Sequence, residues 1–223
     1  MIVLELGQYV APAYAGMVLA EQGHCVEKWY QQNDPVLGLH NGKQLWKWLQ
    51  YGKVLQERHS REVVNIPKGR FDVIIDNHRA DAWQRWGIDP AEVAEALDVV
   101  WVSLRADDDE RSFDVIAQAR AWGDRGMLPF YIGDTAAGLW LAFKAVATRS
   151  SGHYVIRQAA ALAKLVEGEL VVDRSQPWDA PGTYGFDEYG AYVEYRGERI
   201  VEPYRDDDWR RKHLEHDDGR FRV

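Results

Sequence analysis

The sequence predicts an α/β protein, a doubly wound and mostly parallel sheet with helices on both faces, and three observations carry that expectation. Apolar runs of strand length recur along the chain, and stretches with helical periodicity separate them. The runs read as buried strands, as parallel sheets covered on both sides require. With 223 residues, 46% of them hydrophobic, the chain can bury a substantial core.

Ile2 to Leu6 is the first buried strand. Pro12 opens a helix over Ala13 to Gln22, and Gly23 supplies its C-terminal cap. Cys25 to Tyr30 is strand-like, and Asn33-Asp34-Pro35 is a turn. Leu45 to Leu49 follows, then a helical stretch from about Lys53 to Val64. Phe71 to Ile75 is an apolar strand ending in the loop Asn77-His78-Arg79. A helix around Pro90 to Leu97 and a strand over Val99 to Leu104 come next. Ser112 to Trp122 and Thr135 to Thr148 read as helices, the second with Ala136, Leu139, Ala142, Phe143 and Val146 at helical spacing and Asp134 placed to cap it. Tyr154 to Glu167, rich in alanine, continues as helix.

The pattern changes after Gly168, so the expected domains are residues 1–167 and a segment 168–223. Pro177, Pro181, Gly182 and Gly185 mark a loop in that segment. Tyr192 to Tyr195 and Arg199 to Val201 form a hairpin around Arg196-Gly197-Glu198, and a charged end runs from Arg205 to Arg222.

Composition narrows the function. A net charge of −8 argues against a nucleic-acid partner, which needs a basic face, while a local cluster of cations can still hold a small anion. Cys25 is the only cysteine, so neither a disulfide framework nor a cysteine zinc site can form; in a strand, burial would raise its pKa. MIVLEL is too short, and too interrupted by Glu5, for a signal or membrane segment, so the expected location is the cytoplasm. Ten tryptophans, several in polar stretches (Trp46, Trp48, Trp83, Trp86), read as core or subunit-contact residues ahead of a stacking platform.

Parallel sheets bind ligands beyond the carboxyl ends of their strands, where three loops fall: Gly7 to Pro12, Asn77 to Arg79, and Ala106 to Arg111. Gly7 and Gly16 lack dinucleotide-fingerprint spacing, and Leu39 to Lys43 is not a P-loop. In the second loop Arg79 offers a planar fork of donors to phosphate, and Asn77 can anchor a backbone amide or carbonyl. A surface turn with a strand-end salt bridge fits the same residues. His213 and His216 beside Asp217 and Asp218 lack the further ligands a zinc site needs, so no metal is expected. No serine stands in a nucleophile elbow.

The order of short motifs adds a resemblance. Val3-Leu4-Glu5-Leu6 through Tyr14-Ala15-Gly16-Met17-Val18-Leu19-Ala20, with Gly23, Val26 and Lys28 in step, resembles the opening of CoA-transferase family III. That family groups formyl-CoA transferase, carnitine-CoA transferase and acyl-CoA racemase. Asn33-Asp34-Pro35, Gly42-Lys43, Phe71 to Arg79, Arg85 to Ile88, Val100 to Ser103, Phe113 to Ala119 and Ile132 to Gly138 follow in the family's order. Each is short, but together they cover about residues 2–167.

The resemblance implies a Rossmann-like large domain in an interlinked homodimer that binds CoA, and a longer CoA-transferase chain as another partner. It places Asn77, His78, Arg79 and Arg85 where relatives contact the CoA nucleotide, and Lys43 in the family's N-x-G-K-x-S motif. It also implies a departure. Relatives form an aspartyl anhydride, or move an α-proton, with an Asp in a G-x-x-V-D-x-x-M-x-D pattern. Gly152 to Ala161 fits that pattern, with Ile156 and Ala161 at its two Asp positions. A methyl group can neither attack a thioester nor take a proton. The expected protein is therefore CoA-transferase-like and catalytically silent, with no catalytic residue and no required cofactor, and with CoA or acyl-CoA as its ligand. An active transferase using another acid or a partner chain, and an assembly component with no ligand, are the alternatives. Other family features are also lost: Pro12-Ala13 replaces Gly-Pro, Trp46 to Tyr51 lacks a CoA-facing Lys, and Ala106 to Glu110 replaces a glycine-rich loop.

Overall fold

The protein was analysed as a computed structural model, which describes residues 1–32, 34–39, 41–106, 113–122 and 131–163, and the strand backbones 184–186, 190–195 and 198–203. The chain divides into two compact units, Met1–Glu169 and Leu170–Val223.

The first unit holds a six-stranded sheet: β1 (Ile2–Glu5), β2 (Cys25–Tyr30), β3 (Val54–Glu57), β4 (Val73–Asp76), β5 (Val100–Arg105) and β6 (Gly152–Arg157). The spatial order is β3-β2-β1-β4-β5-β6, and every pair is parallel. Six helices connect the strands: α1 (Val10–Glu21), α2 (Gly42–Leu49), α3 (Ala80–Arg85), α4 (Pro90–Leu97), α5 (Asp114–Trp122) and α6 (Ile132–Ala147). The expected α/β fold, parallel and doubly wound, is what forms.

Successive strand residues feed opposite faces, as the two-residue period dictates. Val3, Val73, Ile75, Val100 and Val102 join Ala15, Leu19, Leu141 and Ala145 of α1 and α6 in one core. Leu4, Ile74 and Trp101 join Trp83, Ile88, Ala94 and Leu97 in the other. Burial on both sides removes any need for polar alternation, which is why the strands read as unbroken apolar runs. Helices α1 and α6 approach closely at Gly138, where a Cβ would lie 2.7 Å from the Ala11 carbonyl oxygen.

α1 begins earlier than expected, at Val10, with Pro12 in its first turn, where a missing N–H costs nothing. Gly23 follows its C-cap with φ of +83°.

Four expectations are corrected. Lys53 to Val64 is not a helix: α2 ends before Gly52 (φ +77°), Val54–Glu57 adds to the sheet edge beside β2, and Ser60–Asn65 forms a 3-10 turn capped by His59. All four β3 side chains are exposed, so backbone pairing rather than an apolar face places the strand. Tyr154 to Glu167 is not one helix either. Gly152–Arg157 pairs with Val100–Arg105, because the aromatic and β-branched residues His153, Tyr154, Val155 and Ile156 fit a pleated surface. Helix resumes at 158–163, where the alanines begin; residues 164–167 lie outside the described residues. Asp134 does not cap α6, which starts at Ile132 with Tyr131 as N-cap. Cys25 also differs, opening β2 with an exposed side chain.

In the second unit, β7 (Tyr184–Phe186), β8 (Gly190–Tyr195) and β9 (Glu198–Pro203) form an antiparallel sheet in that order. The expected pairing of Tyr192–Tyr195 with Arg199–Val201 lies within β8 and β9. The turn residues 196–197 and the charged stretch 205–222, with its histidines, lie outside the described residues. Among the described residues no cluster of metal-ligating groups occurs, and no helix is long and apolar enough to cross a membrane.

Candidate functional site

The strand order reverses between β1 and β4, so the chain leaves these neighbours in opposite directions and a crevice opens beyond their carboxyl ends. A cavity of about 360 Å³ lies there, lined by the β1–α1 loop (Gln8, Tyr9), the loop after β4 (Asn77, His78, Arg79), the end of β5 (Arg105, Ala106), and Phe113, Asp134 and Gln158. A second, of about 160 Å³, is lined on one side by Trp29, Tyr30, Arg58, His59, Ser60 and Trp86. Gln8, His78 and Ala82 line both, so the two lie side by side in one trough.

Asn77 clasps the rim. Its amide oxygen accepts from the Gln8 backbone N–H at 2.8 Å, and its amide nitrogen donates to the Gln8 carbonyl at 2.8 Å. The expected backbone anchor is thus present, and it holds protein rather than leaving the amide free.

Asp76, fully buried, organises the floor. It accepts from the His78 backbone N–H at 2.8 Å, the indoles of Trp83 at 3.2 Å and Trp101 at 2.7 Å, Ser103 Oγ, and Arg105 Nη1 at 3.1 Å. Burial opposes its ionisation, but the Arg105 charge and these hydrogen bonds outweigh that and hold the carboxyl below its usual range. Trp83 meets Trp86 and Trp101 edge to face at centroid distances of 5.1 and 5.2 Å, so buried tryptophans form the wall under the trough.

His78 Nε2 lies 2.8 Å from Ser60 Oγ, joining the loop after β4 to the capped 3-10 turn. Burial, only partly offset by the Asp76 charge, lowers the His78 pKa. Its ring is therefore neutral at neutral pH.

Tyr9 bends the opposite rim. It precedes α1 with φ 62° and ψ −158°, a backbone region that glycine alone occupies freely. The observed strain sits where a ligand would approach.

Asp134 faces the cavity from the first turn of α6. Its Oδ1 accepts from Gln158 Nε2 at 2.5 Å, while Asp114 Oδ1 accepts the Asp134 backbone N–H at 2.9 Å. Burial, reinforced by the Asp114 carboxylate, raises the Asp134 pKa to about 7. The residue lines the cavity, and among the described residues no cation pairs with it.

The other sequence candidates scatter. Arg79 lines the cavity and pairs with Asp81 at 3.1 Å. Arg85 is exposed on α3, bound to Asp81 at 2.6 Å, and lines neither cavity; Lys43 is exposed on α2 and lines neither. Ala161 is 3% exposed and packs in the core with Leu141 and Ala145. Gln158, three residues earlier, is the member of that stretch that reaches the cavity. Sequence reading missed Asp134, Gln158 and Arg105 as site residues, since their meeting depends on tertiary pairing. The motif Ile132 to Gly138, which contains Asp134, was the signal available.

No family model matches the sequence, and no curated protein matches it. Solved structures do. A CAIB/BAIF family protein from Brucella suis matches with TM-score 0.67 and 16% identity over 86% of this chain and 64% of that one. The hypothetical protein Rv3272 from Mycobacterium tuberculosis matches with TM-score 0.63 and 19% identity over 86% of this chain and 63% of that one.

The fold is the CAIB/BAIF fold. CAIB/BAIF is the CoA-transferase family III of the motif resemblance, so sequence order and architecture agree on a CoA-transferase-like scaffold. The chain spans a little under two thirds of the length of these two structures.

Proposed function

We propose that the chain binds CoA or an acyl-CoA along the trough and does not catalyse CoA transfer. The observation that carries the binding half is the juxtaposition of two chemically different cavities. One end offers Trp29, Tyr30, Trp86, His59 and Arg58, flat rings and a guanidinium suited to a base and phosphates. The other is wide enough for an acyl group and ends at Asp134 and Gln158. The motif resemblance, which puts Asn77 to Arg79 near a CoA nucleotide, supports the same orientation.

The silent half rests on the stretch after β6, which presents an amide, Gln158, to the cavity and a methyl group, Ala161, to the core. Asp134 also lines this cavity and, with a pKa of about 7, is about half ionised at neutral pH, so the hydroxylamine experiment below tests this acid directly.

Calorimetric titration with CoA and acetyl-CoA tests the binding. Measurable heat and a thermal shift are expected, both weakened several-fold by Arg79→Ala; neither heat nor shift at millimolar ligand overturns it. Incubation with acetyl-CoA and hydroxylamine tests the silence, since a protein-derived hydroxamate would demonstrate an acyl anhydride.

A further inference from the structure

Arg105 closes β5 at the floor of the larger cavity, and its guanidinium is only partly used. Nη1 donates to Asp76 Oδ1 at 3.1 Å and to the Leu104 carbonyl at 3.0 Å, which occupies both of its hydrogens. Nη2 donates to Ser103 Oγ at 3.0 Å. Ser103 gives its single proton to Asp76, so it meets Arg105 as an acceptor. The Nε–H and the second hydrogen of Nη2 are left over, and no described residue supplies an acceptor for them. Asp76 and Ser103, themselves hydrogen-bonded, take the end of the fork, so the free hydrogens share its Nε–Nη2 edge. Two parallel N–H bonds on one planar edge match the two oxygens of a carboxylate. Nε is not sealed from solvent, and Arg105 lines the cavity with its side chain 7% exposed.

The anchored side of the guanidinium fixes the free side. Asp76 also accepts from two indoles, the His78 backbone N–H and Ser103, so the group that holds Arg105 is itself held from several directions. The free edge is therefore in place before any ligand arrives, and binding costs no rearrangement of the side chain. The remaining charged residues lining the cavity have partners: Arg79 pairs with Asp81, and Asp134 accepts from Gln158. A wholly apolar acyl group in this space would strip water from the free edge and offer no acceptor in return. A carboxylate would satisfy it.

We propose that Arg105 is a specificity-determining residue of the cavity: its free Nε–Nη2 edge takes the terminal carboxylate of a short dicarboxylic acyl group, so the cavity prefers a malonyl- or succinyl-type acyl-CoA to its monocarboxylic counterpart. The inference rests on the CoA-binding reading and names the class of acyl group. Lysine at this position would supply charge without the planar edge, so the preference depends on the guanidinium and not on a cation alone.

The test compares two matched pairs by calorimetric titration, malonyl-CoA with propionyl-CoA and succinyl-CoA with butyryl-CoA. Within each pair a carboxylate replaces a methyl group and the CoA is common, so the nucleotide contacts cancel in the ratio. The carboxylate member of at least one pair should bind about tenfold tighter or more, as expected for hydrogen bonds between charged groups. Arg105→Lys keeps a cation beside Asp76 and loses the parallel donors, so the ratio should fall towards unity while the monocarboxylic ligands bind as before. If that variant does not fold, a crystal structure of the wild type with the preferred ligand decides, with the carboxylate expected within hydrogen-bonding distance of Arg105 Nε. Ratios near unity in both pairs, an undiminished preference in Arg105→Lys, or a ligand carboxylate bound elsewhere overturns the inference while CoA binding stands. If none of these ligands binds, the function proposed above falls with it.

Discussion

Lys53 Nζ lies 2.6 Å from Glu5 Oε2, and both side chains are closed to solvent. Lys28 approaches the other carboxylate oxygen at 2.8 Å, so one buried acid serves two buried ammonium groups beneath α1. Lys53 also donates to the Ala13 carbonyl at 2.7 Å. Gly16 makes room for this arrangement, because a Cβ there would fall 2.1 Å from Glu5 Oε2.

The surplus positive charge sets a pH dependence. Burial, only partly offset by Glu5, lowers the Lys53 pKa from 10.5 to about 8. Between those values the unfolded chain binds more protons than the folded one, so stability should rise with pH across that window. Urea unfolding at about pH 8 and about pH 10 should show a gain of up to ~3 kcal/mol from this group, and Lys53→Met should remove the gain.

Asp76→Ala should cost ~3–5 kcal/mol in urea unfolding, because it strands the Arg105 charge and two indole donors in the interior. Tryptophan fluorescence should report the loss of packing around Trp83 and Trp101.

The strain at Tyr9 can be isolated by comparing two truncations. Tyr9→Ala and Tyr9→Gly both delete the ring and its edge contact with Phe113. Only alanine keeps a Cβ at φ 62°, so the glycine variant should be the more stable by ~1 kcal/mol. Equal unfolding midpoints would show that the backbone carries no strain there.

Restoring a carboxylate by the motif pattern should fail. Ala161→Asp buries an unpaired acid among Leu141 and Ala145 and should destabilise by several kcal/mol. Gln158→Asp puts the acid at the cavity wall and should melt closer to wild type. A higher melting temperature for Ala161→Asp than for Gln158→Asp would contradict the placement of these two side chains.

Much of the fold was legible because its signals are local. Unbroken runs such as Val73 to Ile75 and Val100 to Val102 declare strands buried on both faces. Gly23 likewise declares the end of α1. Val54–Glu57 was illegible, since four exposed side chains carry no period and only pairing with Glu27 to Tyr30 defines the strand. β6 was hidden by the alanines that follow it.

The site divides in the same way. A loop at a strand end, such as Asn77 to Arg79, can be located from neighbouring residues. Asp134 and Gln158 meet across 24 positions, and the raised pKa of Asp134 exists only after packing has buried it beside Asp114.

The clasp between Asn77 and Gln8 has a kinetic consequence. With both backbone groups of Gln8 tied across to the loop after β4, this stretch of the rim should open only when the sheet itself opens, and its amide should exchange hydrogen at the slow rate of a strand. A ligand arriving there would meet a surface already in place, so capture should depend on diffusion and little on waiting for the chain to arrange itself.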